Sequence, residues 1–181
     1  MAAPQPGQPF DLGLGLENTH VLITGGSGLI GRIVVQAFLT AGSNVSILDL
    51  ADTHPFSQQD KRIHYQKCNI ADSQSTAAAF EAAEQHFGPV ETCIALASLD
   101  LSVLRQSESL ADMEPSEWQR VLDVNVNGTF NTCQQWLRGV RRATREAAQV
   151  RNVGLVIVGS VSGRFGERTM AAYSAGKSAV Q

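Results

Sequence analysis

Three polar residues near the end of the chain have the types and the spacing that proton transfer requires. Ser160 follows a short apolar run, Tyr173 comes 13 residues later, and Lys177 lies four residues beyond the tyrosine. Residues at i and i+4 share one face of a helix, so the phenol and the ammonium are predicted to be neighbours. The pKa of a free phenol, about 10, is too high for a base at neutral pH, and a nearby ammonium lowers it. The spacing indicates a tyrosine acid/base with a serine holding the substrate oxygen, although the Tyr/Lys pair alone also fits ordinary surface packing.

A glycine-rich stretch near the start of the chain forms a second candidate site. Residues 24–31 read Thr-Gly-Gly-Ser-Gly-Leu-Ile-Gly, between an apolar run at 20–23 and a helical pattern at 32–39. This context predicts a strand, a tight turn and a helix. Glycines let a ligand approach the backbone closely, and the following helix N-terminus favours an anion. We predict a pyrophosphate cradle, with a tight turn that binds nothing as the alternative.

Asp49 is the candidate contact to a nucleotide ribose. It ends the second predicted strand, 18 residues after Gly31. An acidic residue at this place in a dinucleotide fold binds the ribose hydroxyls, and its charge repels a 2′-phosphate. No Lys or Arg occurs between Asp49 and Lys61 or within the glycine turn. These features favour NAD over NADP as the cofactor, whereas an ordinary capping aspartate is the alternative.

Strands and helices are predicted to alternate along the whole chain. An α/β fold follows, with a doubly wound parallel sheet of the Rossmann type and a crevice at the carboxyl ends of its strands. Residues 1–18, rich in Pro and Gly, are predicted to be a flexible arm, and 19–181 a dinucleotide-binding domain. The predicted strands are 19–24, 44–49, 62–68, 90–97 and 154–159. The predicted helices are 29–41, 74–87, about 115–150 with a bend near Gly128, and 170–181, the last after a loop at 160–169.

Composition and charge exclude several kinds of partner. The 181 residues are 43% hydrophobic, which suits one domain with a sizeable core, and the net charge of −3 argues against a nucleic-acid or anionic-membrane partner. Three cysteines without metal-ligand spacing indicate reduced thiols, a cytoplasmic location and no metal site. No apolar run approaches the roughly 18 residues of a membrane span. The N-terminus lacks the features of a secretory or mitochondrial signal.

Taken together, these motifs make residues 19–181 resemble the short-chain dehydrogenase/reductase family. The resemblance rests on the glycine turn, on Asp49, and on three runs that follow the family's order and spacing: Asn-Val-Asn-Gly at 125–128, Ser-Val-Ser-Gly at 160–163 and Tyr-Ser-Ala-Gly-Lys at 173–177. It implies an NAD(P)-dependent oxidoreductase that moves a hydride between nicotinamide C4 and the carbon of a secondary alcohol or ketone. A polyol, a sugar or a small carbonyl compound is the implied substrate, and a homodimer or homotetramer the implied assembly.

The resemblance also implies a role for each site residue. Tyr173 would exchange a proton with the substrate oxygen, and Lys177 would bind the nicotinamide ribose and lower the pKa of the phenol. Ser160 would polarise the substrate carbonyl. Asn125 would kink its helix and hold a water that links Lys177 to solvent. The implied cofactor contacts are Gly25, Ser27, Gly28, Leu29, Ile30, Gly31, Asp49, Asn69, Ile70, Ala97, Tyr173 and Lys177, with Asn69 standing where the family has Asp.

Three departures from the family pattern leave other functions open. Leu29 stands where the single-domain members have glycine, so the glycine spacing is that of the extended, epimerase-like members. Residues 95–98 read Ala-Leu-Ala-Ser in place of Asn-Asn-Ala-Gly. The chain ends at Gln181, within the catalytic helix, so we expect a truncated chain whose sheet is incomplete on its C-terminal side. An extended-type epimerase or dehydratase is one alternative, and a non-catalytic dinucleotide sensor or inactive paralogue is another. Asn125, the Ser160–Tyr173 spacing and the lack of a second domain favour the single-domain oxidoreductase.

Overall fold

The computed structural model describes residues 13–57, 59–100, 102–106 and 109–181. In this part of the chain, the strands are β1 (His20–Thr24), β2 (Asn44–Asp49), β3 (Ile63–Lys67), β4 (Thr92–Ala95) and β5 (Gly154–Ile157). They form one sheet in the order β3-β2-β1-β4-β5, and every neighbouring pair is parallel. The predicted doubly wound parallel sheet is confirmed.

Helices connect the strands and cover both faces of the sheet. They are α1 (Leu29–Thr40), α2 (Ser73–Phe87), α3 (Pro115–Leu122), α4 (Thr129–Arg145), α5 (Ser162–Phe165) and α6 (Ala171–Ala179), with a 3₁₀ turn at Leu110–Asp112. A π-helical segment, Asp123–Gly128, joins α3 to α4 and ends at the residue where the bend is predicted. Among the described residues, no helix is both long and apolar enough to cross a membrane.

Several element ends differ from the predicted ones. Strand β4 ends at Ala95 because the next two backbone N–H groups, of Leu96 and Ala97, turn to the hydroxyl of Thr24 at 3.1 Å each. Helix α4 ends at Arg145, near Ala147, whose φ of +53° is incompatible with a continuing helix. The predicted loop at 160–169 contains the short helix α5, and β5 ends two residues early.

Side chains that alternate along the strands build two hydrophobic layers. Val21 and Ile23 point to one face, where they pack with Val35 of α1, and Leu22 points to the other, where it packs with Phe80 of α2. Every residue of β1 is buried. A central parallel strand is covered on both faces, which explains why its sequence is an almost unbroken apolar run.

The described part of the predicted arm contacts the domain. Leu16 accepts a hydrogen bond from the Ser43 hydroxyl at 3.0 Å, and the Asn18 N–H donates to Gly42 at 2.9 Å. The side chain of Asn152 donates to the Gly15 carbonyl at 2.9 Å. Residues 15–18 are therefore tied to the domain, whereas 1–12 lie outside the described residues.

A buried histidine links the amino ends of the strands, at the opposite end of the sheet from the glycine turn. His20 is 2% exposed, and its Nδ1 lies 2.8 Å from the Gly88 carbonyl oxygen. A carbonyl only accepts, so in the neutral ring this nitrogen carries the proton, and Nε2 accepts from the Ser46 hydroxyl at 2.8 Å. The Ser46 oxygen lies 3.4 Å from Nδ1 of His64. Burial lowers the pKa of His20 from 6.5 to about 4.

Candidate functional site

The predicted site residues all lie at the carboxyl end of the sheet. The glycine turn follows β1, Asp49 ends β2, Asn69 follows β3, and Ala97 and Ser160 follow β4 and β5. Strand β1 has β2 on one side and β4 on the other, so the chain order reverses beside it. A parallel sheet opens a crevice at such a point, and this is where ligands bind in doubly wound folds.

The glycine turn is closed so tightly that two of its positions exclude any side chain. Gly25 has a φ of +71°, and a Cβ there would lie 2.8 Å from the Cα of Ala97. A Cβ on Gly31 would overlap the carbonyl oxygen of Gly25 and lie 2.7 Å from the Cα of Gly26. Leu29 is 76% exposed, so a side chain is accommodated at the position where the single-domain members have glycine.

This packing predicts unequal effects for two glycine substitutions. The new methyl group of Gly31→Ala would push against the backbone of Gly25 and Gly26. We expect this substitution to lower the free energy of unfolding by about 2 kcal/mol. Gly28→Ala meets only the Gly25 oxygen, at 3.2 Å, and is expected to cost less than half as much. Denaturant unfolding of both variants and the unaltered chain measures the difference. Equal losses for the two variants would contradict the packing described here.

Ser27 and Asp49 form the part of the crevice that best fits a nucleotide. The Ser27 N–H donates to Asp49 Oδ2 at 2.9 Å, which fixes the carboxylate beside the turn. The buried Ser27 hydroxyl has no hydrogen-bond partner among the described residues. Such an orphaned polar atom costs stability unless a ligand binds it. Leu29 and Ile30, exposed by 76% and 65%, flank it on the first turn of α1. The turn thus fits a phosphate-bearing dinucleotide.

Residues 69 and 70 lie beyond β3 and differ in exposure. The Asn69 side chain is exposed, and its oxygen accepts from the Ala71 N–H at 3.1 Å. The Ile70 side chain is buried at 6% exposure and packs against Gly128, where a Cβ would lie 2.7 Å from it. Asn69 therefore faces solvent at the crevice, and Ile70 belongs mainly to the core.

Asn125 connects the segment beyond β4 to helix α6. Its amide pairs with the backbone of Leu99, accepting from the N–H at 2.8 Å and donating to the carbonyl at 3.0 Å. It is 2% exposed and lies in the π-helical segment. A Cβ on Gly176 would lie 3.3 Å from its Cβ, so α6 packs directly on it. Both ends of the amide thus bond to residue 99, which leaves one N–H and one lone pair, and the water implied at Asn125 stays a prediction.

Tyr173 and Lys177 share one face of α6, as the spacing predicts. Lys177 Nζ lies 5.9 Å from the centroid of the Tyr173 ring, and both residues are buried, at 6% and 8% exposure. The ring packs with Leu104, Val121 and Met170. The Tyr173 hydroxyl makes no hydrogen bond to another described residue, so it is available to a substrate oxygen.

The Lys177 ammonium is held in a partly desolvated position. It donates to the Val158 carbonyl at 2.8 Å, its one hydrogen bond within the described ranges. Burial lowers the pKa of Lys177, and the carboxylate of Asp100 acts in the opposite direction. Two of its three N–H groups are left for a ligand.

Ser160 is placed beside α6 by several backbone contacts. Its hydroxyl oxygen accepts from the Ser162 N–H at 3.1 Å and donates to no other described residue, so its proton can go to a substrate. A Cβ on Gly163 would lie 2.6 Å from the Lys177 carbonyl, so the segment is pressed against α6. The structure records no hydrogen bond among Ser160, Tyr173 and Lys177; it brings them to the same end of the sheet.

Two features of this region do not follow from linear spacing. Thr24 joins β1 to the chain beyond β4 through its hydroxyl, as described above. Lys67, at the end of β3, is the register partner of Asp49 in β2. Lys67 is distant from Asp49 in the sequence, and only the pairing of the neighbouring strands β2 and β3 brings the two residues together.

Comparisons with known proteins agree with this geometry. A family model described as short chain dehydrogenase matches residues 19–181. The chain is 31% identical over 160 residues to the 3-oxoacyl-[acyl-carrier-protein] reductase MabA of Mycobacterium bovis, a match that covers 88% of this chain and 58% of the reductase. It is 26% identical to an NADP-dependent (R)-specific alcohol dehydrogenase of Lentilactobacillus kefiri, covering 92% of this chain and 64% of that enzyme.

A solved structure shares the fold at lower identity. The crystal structure of a short chain dehydrogenase from Leptospira borgpetersenii with bound NAD⁺ superimposes with a TM-score of 0.78 at 21% identity. The superposition covers 99% of this chain and 68% of that one. At this identity the likeness concerns the fold alone.

Proposed function

Because the chain belongs to the short-chain dehydrogenase family, we propose that it acts as an oxidoreductase on a secondary alcohol or the matching ketone, with NAD(H) as its cofactor. A polyol, a sugar or a small carbonyl compound is the proposed substrate. The observation that carries the proposal is the hydroxyl of Tyr173, which bonds to no other described residue and whose ring centroid lies 5.9 Å from the Lys177 ammonium. The chain spans 58% of its mycobacterial relative, and the proposal concerns the whole protein.

In this mechanism Tyr173 moves a proton between its hydroxyl and the substrate oxygen. The Lys177 ammonium stabilises the phenolate form, because opposite charges a few ångströms apart favour the ionised phenol. Ser160 donates a hydrogen bond to the same substrate oxygen and keeps it beside the phenol. Asn125 acts as a positioning residue through residue 99 and α6.

A nicotinamide dinucleotide supplies the hydride when it is bound. The backbone of the glycine turn and the Ser27 hydroxyl would hold its pyrophosphate, and Asp49 the hydroxyls of its adenosine ribose. Lys177 would hold the other ribose through its remaining N–H groups. NAD is proposed over NADP because a 2′-phosphate would lie against the Asp49 carboxylate.

Cofactor binding and turnover test the proposal directly. We expect the protein to bind NADH more tightly than NADPH, measured by the change in nicotinamide fluorescence on titration. We also expect oxidation of NADH in the presence of some members of a ketone panel. Tighter binding of NADPH would contradict the role of Asp49, and failure to bind either nucleotide would contradict the proposal as a whole.

Two outcomes would point to the alternative functions. Tight NADH binding without turnover across a broad alcohol and ketone panel would favour a non-catalytic sensor or inactive paralogue. Epimerised sugar without net redox change would favour the extended-type epimerase. We propose a cytoplasmic homodimer or homotetramer. The exposed Phe130 and Leu137, two turns apart on α4, support self-association, which sedimentation velocity measures.

A further inference from the structure

One corner of the crevice holds a charge pair that the proposed catalytic cycle does not use. Lys67 ends β3 and is the register partner of Asp49 in the neighbouring parallel strand. Its ammonium donates to Asp52 Oδ1 at 2.5 Å, its one side-chain partner among the described residues. Both side chains are largely exposed, by 59% for Lys67 and 86% for Asp52. The pair lies in solvent beside the proposed ribose contact.

Hydrogen bonds to both backbone groups of Ala51 fix the loop that carries Asp52. The Ala51 N–H donates to Asp49 Oδ1 at 3.1 Å, and the Tyr65 hydroxyl donates to the Ala51 carbonyl. Burial raises the pKa of Tyr65, and the carboxylates of Asp49 and Asp52 raise it further. Tyr65 is two residues before Lys67 and shares its face of β3. The two carboxylates, the phenol and the ammonium thus form one compact group.

This arrangement bears on which ribose the crevice accepts. Asp49 and Asp52 together with Lys67 leave one net negative charge at the corner. A 2′-phosphate carries nearly two negative charges, so it would be repelled as long as Asp52 neutralises the lysine. Without the Asp52 charge, the Lys67 ammonium, carried by the register partner of Asp49, has no side-chain partner among the described residues, and a phosphate is a favourable partner for it.

We propose that Asp52 and Lys67 determine the discrimination between an unmodified adenosine ribose and one phosphorylated at the 2′-oxygen. The ion pair with Asp52 keeps the Lys67 ammonium from binding a 2′-phosphate, and the Asp49 carboxylate binds the free ribose hydroxyls. The inference rests on the proposed nucleotide site, and it names residues of specificity beyond the aspartate at the end of β2. It also predicts that one uncharged substitution in an exposed loop shifts the preference.

The test uses ADP-ribose and 2′-phospho-ADP-ribose, which report on the adenosine half of the site alone. The readout is the ratio of their two dissociation constants, measured by titration calorimetry. We expect Asp52→Asn to shift this ratio toward the phosphorylated ligand by about fivefold, the scale of one exposed charge-assisted contact. The shift should shrink at high ionic strength, because salt screens exposed charges. A second substitution, Lys67→Met, should abolish the shift in the Asp52→Asn background.

Asp60→Asn is the matched control. It makes the same change in charge by breaking another ion pair, the one with Arg62 at 2.9 Å. We expect it to leave the ratio unchanged. An equal ratio in Asp52→Asn and the unaltered protein, with ADP-ribose still bound, would overturn this inference and leave the proposed function standing. Absence of ADP-ribose binding in the unaltered protein would overturn the proposed function itself.

Discussion

Replacing Tyr173 with phenylalanine is expected to lower kcat by about 10²- to 10⁴-fold, the usual contribution of a positioned acid or base. The change removes one oxygen atom and keeps the ring, which packs with Leu104, Val121 and Met170. The hydroxyl bonds to no other described residue, so its loss leaves no internal partner unsatisfied. The fold should therefore stay intact while proton transfer is lost.

The measurement compares turnover with cofactor binding in the same variant. We expect Tyr173→Phe to bind NADH within about threefold of the unaltered protein, because Asp49 and the glycine turn are untouched. Thr40→Ala, which removes an exposed hydroxyl at the end of α1 far from the glycine turn, serves as the control for turnover. Turnover that survives Tyr173→Phe would remove the proton-transfer role. Loss of NADH binding in step with turnover would indicate that the tyrosine acts on the cofactor instead.

Acidification is expected to weaken the fold through His20. The neutral ring accepts from Ser46, so a proton on Nε2 would replace that acceptor with a second donor and place a charge in a buried site. The pKa of His20 is lowered to about 4, so the folded protein binds fewer protons than the unfolded chain between this pH and 6.5. The stabilisation is complete above about pH 6.5, and about 3 kcal/mol of it is lost as the pH falls to 4.

Other titratable groups surround this ring and add to the effect. Burial lowers the pKa of His64, the next residue in the hydrogen-bonded chain, and the positive charge of His86, whose ring stacks on it, lowers that pKa further. The Glu91 carboxylate lies on the other side, where it accepts from the His20 backbone N–H at 3.4 Å. Its negative charge opposes the shift at His20 without reversing it.

Urea unfolding at a series of pH values between 7 and 4 measures this loss. His20→Gln should unfold with a flatter pH dependence, whereas His54→Gln, outside the hydrogen-bonded chain, should follow the unaltered protein. Should His20→Gln fail to fold, imidazole chemical shifts in the unaltered protein provide the same information. Protonation of His20 near pH 6.5 in the folded state would contradict the prediction.

The periodicity of apolar residues was sufficient to predict the parallel sheet and the helices between its strands. The predicted strands and helices extend beyond the observed ones where no polar or helix-breaking residue marks the end. Residues 96 and 97 are apolar like β4, yet their N–H groups bond to Thr24, a partner more than 70 residues earlier. Nothing in the composition of 146–150 breaks a helix, so its early end at Arg145 was not predictable.

Some residues of the candidate site could likewise be predicted from the sequence, and others could not. The glycine turn, Asp49 and the Tyr173/Lys177 pair are found by spacing along the chain, because each lies within or beside one element. Lys67 is near Asp49 only through strand register, and the Leu99 contact of Asn125 spans a long loop. Linear spacing carries no information on such contacts, which come from the packing of distant segments. The roles of the site residues stay predictions until the variants are measured.

The π-helical segment determines how α4 is rotated about its axis relative to α3. Each residue of a regular helix turns the chain by about 100°, and a wide turn of this kind accommodates one additional residue. Deleting a single residue from Asp123–Gly128 would turn α4 by that angle relative to α3. The buried side of α4, which includes Trp136 and Ala143, would then no longer face the sheet. The segment therefore allows the continuous helix formed by α3 and α4 to contact α6 with one face and the sheet with another.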